Sequence, residues 1–358
     1  MPEKAAGTLA EPPFHIRFAH TVDRHLVHRA AVAEVFVTDA RRIGESVFLA
    51  GAQTPLSHSY YNDHIQRSAL TDVLLVLEAC RQAAVCGGHT FLDIGMDTSF
   101  LVNEVSVQLR NPRALRTGSD PGELQLLTEY PAVRMKADRV RQVGVAQELT
   151  FNGAAVGVST MRVSAMTKSE YEALRGYQRG GIAPTTREVP RPDRSGVLAP
   201  PQVGRTSPGN VVLAEPFFDG GRLTARLLPD FDNRSLFDHD YDHFPAMTLL
   251  EGARQLALLA AFWSGRQLRN THVLGMDAAF LRFAELDTPV VLSAAVPRGG
   301  QDTVEVAFDQ GGRSVTTATV RLYEETAESE ESAGRAESVE SAESAGRAER
   351  VERAETTP

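Results

Sequence analysis

Part of this sequence occurs twice, and that constrains the fold more than any other feature. Glu78-Ala79-Cys80-Arg81-Gln82 returns as Glu251-Gly252-Ala253-Arg254-Gln255, 173 positions on. Gly95-Met96-Asp97-Thr98-Ser99-Phe100-Leu101 returns as Gly275-Met276-Asp277-Ala278-Ala279-Phe280-Leu281, 180 positions on. Two matches in one order and at nearly one offset point to a duplicated domain. The chain has 358 residues and is 42% hydrophobic, enough for two ordinary cores.

The same pattern recurs around each copy. Ahead of each Glu lies an almost unbroken apolar run, Val73 to Leu77 and Ala246 to Leu250, and apolar residues continue to Cys86 and Trp263. A run of that length, apolar on most sides, is a helix buried in a core. Thr71 or Asp72 is placed to cap the first one. Alternating or β-branched stretches follow at Glu104–Leu109, Leu124–Tyr130, Val143–Phe151 and Val156–Val163, then at Val290–Val296, Thr303–Phe308 and Val315–Leu322. Ala31–Thr38 and Asn210–Pro216 precede the helices and also read as strands. The expected class is α+β, a double hot-dog: twice over, one long helix wrapped by a curved antiparallel sheet.

The Gly- and Pro-rich stretch before residue 209 holds no period and reads as a linker. The expected organisation is an N-terminal extension (1–20), a first hot-dog domain (21–180), a linker (181–208), a second domain (209–323) and a disordered acidic tail (324–358). In that tail SAGRAESVE returns as SAGRAERVE, and large apolar groups are too few to offset ordering. Its eleven Glu and four Arg carry −7 of the net charge of −9, so the body is nearly neutral and has room for local basic patches. Two candidates are Arg110, Arg113 and Arg116, then Arg134, Lys136, Arg139 and Arg141.

Neither a signal peptide nor a spanning apolar run is present, so a cytoplasmic protein without membrane or nucleic-acid partners is expected. Cys80 and Cys86 lie six apart on a helix, too far round it to bridge, and read as buried thiols. No metal site is expected, nor a nicotinamide, flavin or P-loop cofactor, since no such ligand spacing or glycine pattern occurs.

A Glu on a buried helix needs a reason, because an isolated carboxylate is costly to desolvate. Arg81 and Arg254 lie three residues beyond Glu78 and Glu251, on the same helical face. The pair is therefore either structural, or a proton-transfer carboxylate with a cation for anionic oxygen. In the first half His64 ends the loop Tyr60-Tyr61-Asn62-Asp63-His64, fourteen residues before Glu78. In the second, His239 and His243 lie twelve and eight residues before Glu251, so the two sites should not be equivalent.

The His-to-acid spacing of the first half resembles that of the β-hydroxyacyl-ACP dehydratases, hot-dog enzymes whose loop His and helix acid face each other across a subunit boundary. A closer resemblance is to the A-factor synthase family, makers of γ-butyrolactone autoregulators. It rests on Val27-His28-Arg29 with Val35-Phe36-Val37-Thr38-Asp39, the Asn62-Asp63-His64 loop, Asp72 through Gln82, and Asp242-His243 to Gln255. It covers roughly residues 20 to 322. The resemblance implies transfer of a β-ketoacyl group from acyl carrier protein to dihydroxyacetone phosphate, then closure to a butenolide phosphate. It implies that activity rests on Glu78, Glu251 and Arg254. His64 and His243 join them as catalytic candidates, and Arg81, Gln82, Gln255, Asn62, Asp72 and His239 as substrate-binding ones.

Three alternatives stay open at this level: a hot-dog dehydratase or thioesterase, a related furan or butenolide synthase, and a non-catalytic acyl-binding protein. A homodimer is also open, although two fused modules already form the pairing that single ones obtain by dimerising.

Overall fold

The computed structural model of the chain describes residues 15–325. The expected acidic tail beyond Glu325 and most of the expected N-terminal extension lie outside the described residues.

The first half supplies β1 (Val37–Arg42), β2 (Val47–Thr54), α1 (Val73–Phe91), β3 (Thr98–Leu109), β4 (Gly122–Lys136), β5 (Arg139–Phe151) and β6 (Ala154–Thr167). After α2 (Lys168–Arg179), the second half repeats the series as β7 (Leu213–Asp219), β8 (Arg222–Leu227), α3 (Ala246–Trp263), β9 (Thr271–Phe280), β10 (Val291–Ala295), β11 (Thr303–Gln310) and β12 (Arg313–Glu324). The strands join in one antiparallel sheet, β1-β2-β4-β5-β6-β3-β9-β12-β11-β10-β8-β7. Read from either edge the order is the same, which is the double hot-dog. The seam is β3 against β9, with Glu104 opposite Ala279 and Gln108 opposite Gly275.

Each long helix is buried over nearly its whole length, as its apolar run requires. Asp72 caps α1, its Oδ1 accepting from the Leu74 N–H at 2.7 Å. At Gly87 the helix lies so close to the sheet that a Cβ would stand 2.4 Å from Phe48 and Tyr130. Cys80 and Cys86 are free and buried, and burial pushes the Cys80 thiol up to about 12.

Three expectations need correction. Gly95–Asp97 lies in the turn before β3, whereas Gly275–Phe280 lies inside β9, so the second sequence match is not a structural equivalence. The duplication stands on the helices and the paired strands instead. Ala31–Thr38 is not all strand: it forms a 3-10 turn at Val32–Glu34, and β1 starts at Val37. The physical reason is the Gln82 amide, which donates to the Glu34 carbonyl at 2.7 Å and accepts from the Phe36 N–H at 2.8 Å, occupying groups that a ladder would use. Gln255 does the same to the Asn210 carbonyl and the Val212 N–H, delaying β7 to Leu213.

The Pro/Gly stretch is not a free connector over its last part. Residues 200–212 retrace the path of 24–36, each with a 3-10 turn closed by a left-handed residue, Gly204 or His28. Arg205 on this segment is fully buried.

Candidate active site

Each buried Glu is gripped by two arginines and a glutamine. Glu78 Oε1 accepts from Arg29 Nε at 3.0 Å, Arg81 Nη2 at 2.7 Å and Gln82 Nε2 at 2.7 Å, and Oε2 accepts from Arg81 Nε at 2.9 Å. Glu251 Oε1 accepts from Arg205 Nε at 3.1 Å, Arg254 Nη2 at 2.8 Å and Gln255 Nε2, while Oε2 takes the Tyr60 hydroxyl at 2.8 Å. Both carboxylates are 0% exposed, and neither lines the cavities of about 720, 560 and 40 Å³ found among the described residues. Burial alone would raise their pKa values, but the paired guanidiniums win, holding Glu78 at about 2 and Glu251 below its ordinary range. Such groups stay ionised and out of reach, so direct proton transfer by either Glu has no geometric support. Gln82 and Gln255, expected at substrate, clamp backbone instead.

What the carboxylates do is fix arginines, and here the halves diverge. The residue at the N-cap of each long helix shares a cavity with the arginine of the opposite module. For α1 this is Asp72, whose Oδ2 pairs with Arg254 Nη1 at 3.1 Å. For α3 the cap position is Pro245, which brings no carboxylate to Arg81. Arg81 Nη1 therefore has no partner among the described residues, and its side chain is 22% exposed.

Cavity space follows the same division. Beside Arg254 there is only a crevice of about 40 Å³, lined by His64, Asp72, Gly204, Arg254, Leu258 and His272 among others. Around the equivalent residues His28, Arg81, Val85, Ser99 and Pro245 lies a cavity of about 720 Å³. The first is shut by stitching: Gln66 Nε2 donates to the Thr271 carbonyl at 2.9 Å, and His64 Nε2 stands 3.4 Å from Asp72 Oδ2. Burial lowers the His64 pKa to about 4. A space of that size has room for a water or two.

The open cavity runs between the modules and is amphipathic. Val85, Phe100, Tyr130, Val143, Met161 and Val163 form an apolar wall from the first half. His28, Arg29, Arg81, His239 and His243 also line it, together with Asp240 and Asp242. His28 holds φ +54°, where its counterpart is Gly204 at φ +78°. A non-glycine residue pays for that conformation, and such strain concentrates at functional sites. Its Nε2 lies 2.9 Å from His89 Nε2, and burial lowers its pKa to about 4.

Two Asp–His pairs face this cavity. His239 Nδ1 is 2.5 Å from Asp238 Oδ1, and His243 Nδ1 is 2.6 Å from Asp242 Oδ1. Asp242 is engaged outward by Arg175 of α2 at 2.9 Å and by the Tyr171 hydroxyl at 2.8 Å. Asp238, 1% exposed, accepts from the Ala30 N–H at 2.9 Å and lies 3.4 Å from Arg29.

Of the residues expected from sequence, the open cavity thus collects Arg81, His239 and His243. The shut crevice collects His64, Asp72 and Arg254. Asn62 is exposed and lines neither. His64 stands beside Asp72 of its own half, not Glu78, and shares the crevice lining with Arg254 of the second half. Sequence reading missed Arg205, Asp238 and Arg282 altogether and the role of Arg29. The signal for the arginines was Val27-His28-Arg29 returning as Val203-Gly204-Arg205, 176 positions on. Arg282 is exposed at the cavity and forms no ion pair among the described residues.

Comparison with known proteins bears on this arrangement. The chain is 33% identical to the 2-oxo-3-(phosphooxy)propyl 3-oxoalkanoate synthase of Streptomyces virginiae, over 76% of this chain and 87% of that one. It is 30% identical to the synthase of the same name from Streptomyces griseus, over 83% and 93%. Among solved structures it is similar to an acyl-ACP thioesterase from Bacteroides thetaiotaomicron, with 10% identity, 78% and 100% coverage and a TM-score of 0.45. The A-factor biosynthesis hotdog domain matches residues 10–167 and 189–323, nearly everything the repeat embraces, and the chain belongs to that family.

Proposed function

We propose that this chain is the synthase its relatives are named for: it moves a β-ketoacyl group from an acyl-carrier-protein thioester to the hydroxyl of dihydroxyacetone phosphate. The product, a 2-oxo-3-(phosphooxy)propyl 3-oxoalkanoate, then closes to a butenolide phosphate. The observation that carries the reading is the cavity of about 720 Å³, lined by apolar side chains together with Arg29, Arg81 and Arg282. Its apolar wall suits an acyl chain, and Arg81 and Arg282 suit an oxyanion and a phosphate, which need fixed positive charge. Glu78 acts from behind, ionised and sealed, holding Arg81 and Arg29 in place.

The test is to incubate the purified chain with a β-ketoacyl carrier thioester, with and without dihydroxyacetone phosphate, and to identify products by mass spectrometry. A phosphorylated ester formed only with both substrates is expected. Free acid or enoyl product made without the phosphate would instead establish a thioesterase or a dehydratase.

For the carrier protein, the position of the two basic patches favours the β4–β5 hairpin. Arg134, Lys136 and Arg139 are exposed at its tip, and Arg141 pairs with Glu170 at 2.5 Å. Glu170 belongs to α2, which lends Tyr171 and Leu174 to the open cavity. Arg116, in contrast, is paired with Glu325 and bonded to Ser68, a lining residue of the shut crevice. Reversing all three hairpin charges is expected to raise KM for a carrier-bound thioester about tenfold or more while sparing a small thioester mimic. Equal loss with both substrates would remove the hairpin from consideration.

A further inference from the structure

We infer that His239 is the proton acceptor of the open cavity, and that Glu78, Arg29 and Asp238 form a buried line of positioning residues behind it. This inference rests on the proposed function. The line is continuous: Glu78 Oε1 to Arg29 Nη2 at 2.6 Å, Arg29 Nη1 to Asp238 Oδ1 at 3.4 Å, Asp238 Oδ1 to His239 Nδ1 at 2.5 Å.

An ionised carboxylate only accepts hydrogen bonds, so Nδ1 donates to Asp238 and, in the neutral ring, Nε2 is the nitrogen with the free lone pair. Nε2 has no partner among the described residues, and the side chain, 44% exposed, lines the cavity. Asp238 is kept charged although burial opposes it, because His239, Arg29 and the Ala30 N–H all favour the carboxylate. The ring is further fixed by stacking on Tyr241 at 4.0 Å between centroids.

The other histidines are less suited. His28 has one ring nitrogen turned to His89, and burial makes it a poor proton acceptor. His243 belongs to the Arg175 and Tyr171 cluster on α2, with no link to Arg29 or Arg81. His239 shares its network with Arg29, and Arg29 shares Glu78 Oε1 with Arg81. Base and oxyanion cation are thereby held by one carboxylate.

In the step itself, the substrate hydroxyl loses its proton to Nε2 as its oxygen bonds to the thioester carbonyl carbon. The carbonyl oxygen takes the negative charge opposite Arg81. The C–S bond then breaks, and the proton passes from Nε2 to the departing thiolate. Alcohol and thioester become ester and thiol, with no other reactant.

The experiment measures ester formation by wild type, His239→Ala and Asp238→Asn across pH, with thermal melting to verify folding and with added imidazole. His239→Ala is expected to lose kcat about 100-fold or more, to lose the acidic limb of the kcat profile, and to regain activity with imidazole. Asp238→Asn is expected to lose at least about tenfold and to displace that limb, which loss of packing alone would not do. Turnover of His239→Ala within about threefold of wild type would overturn the inference. So would a folded His239→Ala that keeps the limb and gains nothing from imidazole. A wild type that forms no ester would overturn the proposed function, and this assignment with it.

Discussion

Replacing Pro245 by Asp is expected to lower kcat/KM for ester formation by about 100-fold or more while the protein stays folded. The two modules already contain the comparison. Asp72, capping α1, neutralises Arg254 across the module boundary, and the space there is shut. Pro245, capping α3, leaves Arg81 Nη1 open to about 720 Å³. Asp is a favoured capping residue, so the helix should tolerate the exchange. Its carboxylate would compete for the guanidinium that we propose meets substrate oxygen, and losing one such donor typically costs about 2.7–4 kcal/mol in the transition state. Steady-state kinetics beside a melting curve decides the matter. A folded Pro245→Asp enzyme turning over at the wild-type rate would mean that no negative charge develops against Arg81.

The second large effect concerns stability. Glu251→Gln removes the charge between Arg205 and Arg254, whose side chains are 0% and 5% exposed. Arg205 would be left without an ion-pair partner among the described residues and Arg254 with Asp72 alone, a defect of about 3–5 kcal/mol. In a chain of this size that lowers Tm on the order of 10 °C, which calorimetry reads directly. The acid limb of stability should change as well. A carboxylate whose folded pKa lies below its ordinary value contributes in full above that value and loses its contribution as pH falls. For Glu78 the window runs from 4.5 down to about 2, and Glu251 is lowered in the same sense. Glu251→Gln should be weaker at neutral pH yet lose less on acidification. A melting temperature equal to wild type at neutral pH would show that the pair is not holding the second module.

Much of this fold was legible in the sequence because its two helices are apolar on nearly every face, and few alternatives bury so much. Strands flanked by alternating residues were legible for the same reason. β2 was not, since Ala50-Gly51-Ala52 lacks the β-branched residues that mark a strand. α2 was missed although Thr167 and Glu170 form a capping box that the T-x-x-E spacing announces.

The site was legible as a list of residues but not as a place. Glu78 and Arg81 were found from their repeat, yet only the fold reveals that His64 sits with Asp72 in a shut crevice and that the carboxylates are buried. The decisive asymmetry, Asp72 against Pro245, concerns a contact between residues 182 positions apart on one side and an absent contact on the other. No local pattern encodes that.

The latch at Asp72 and Arg254 has a mechanical consequence. Tyr60, Asp63 and Arg205 bolt the modules together on one flank of the β3–β9 seam, and the opposite flank gapes. Loosening those bonds is expected to change the width left for an acyl chain on the open flank. Substitutions at these bonded residues are expected to alter which acyl chains fit, although none of them lines the cavity, so selectivity would reside in a fastening rather than in the tunnel wall.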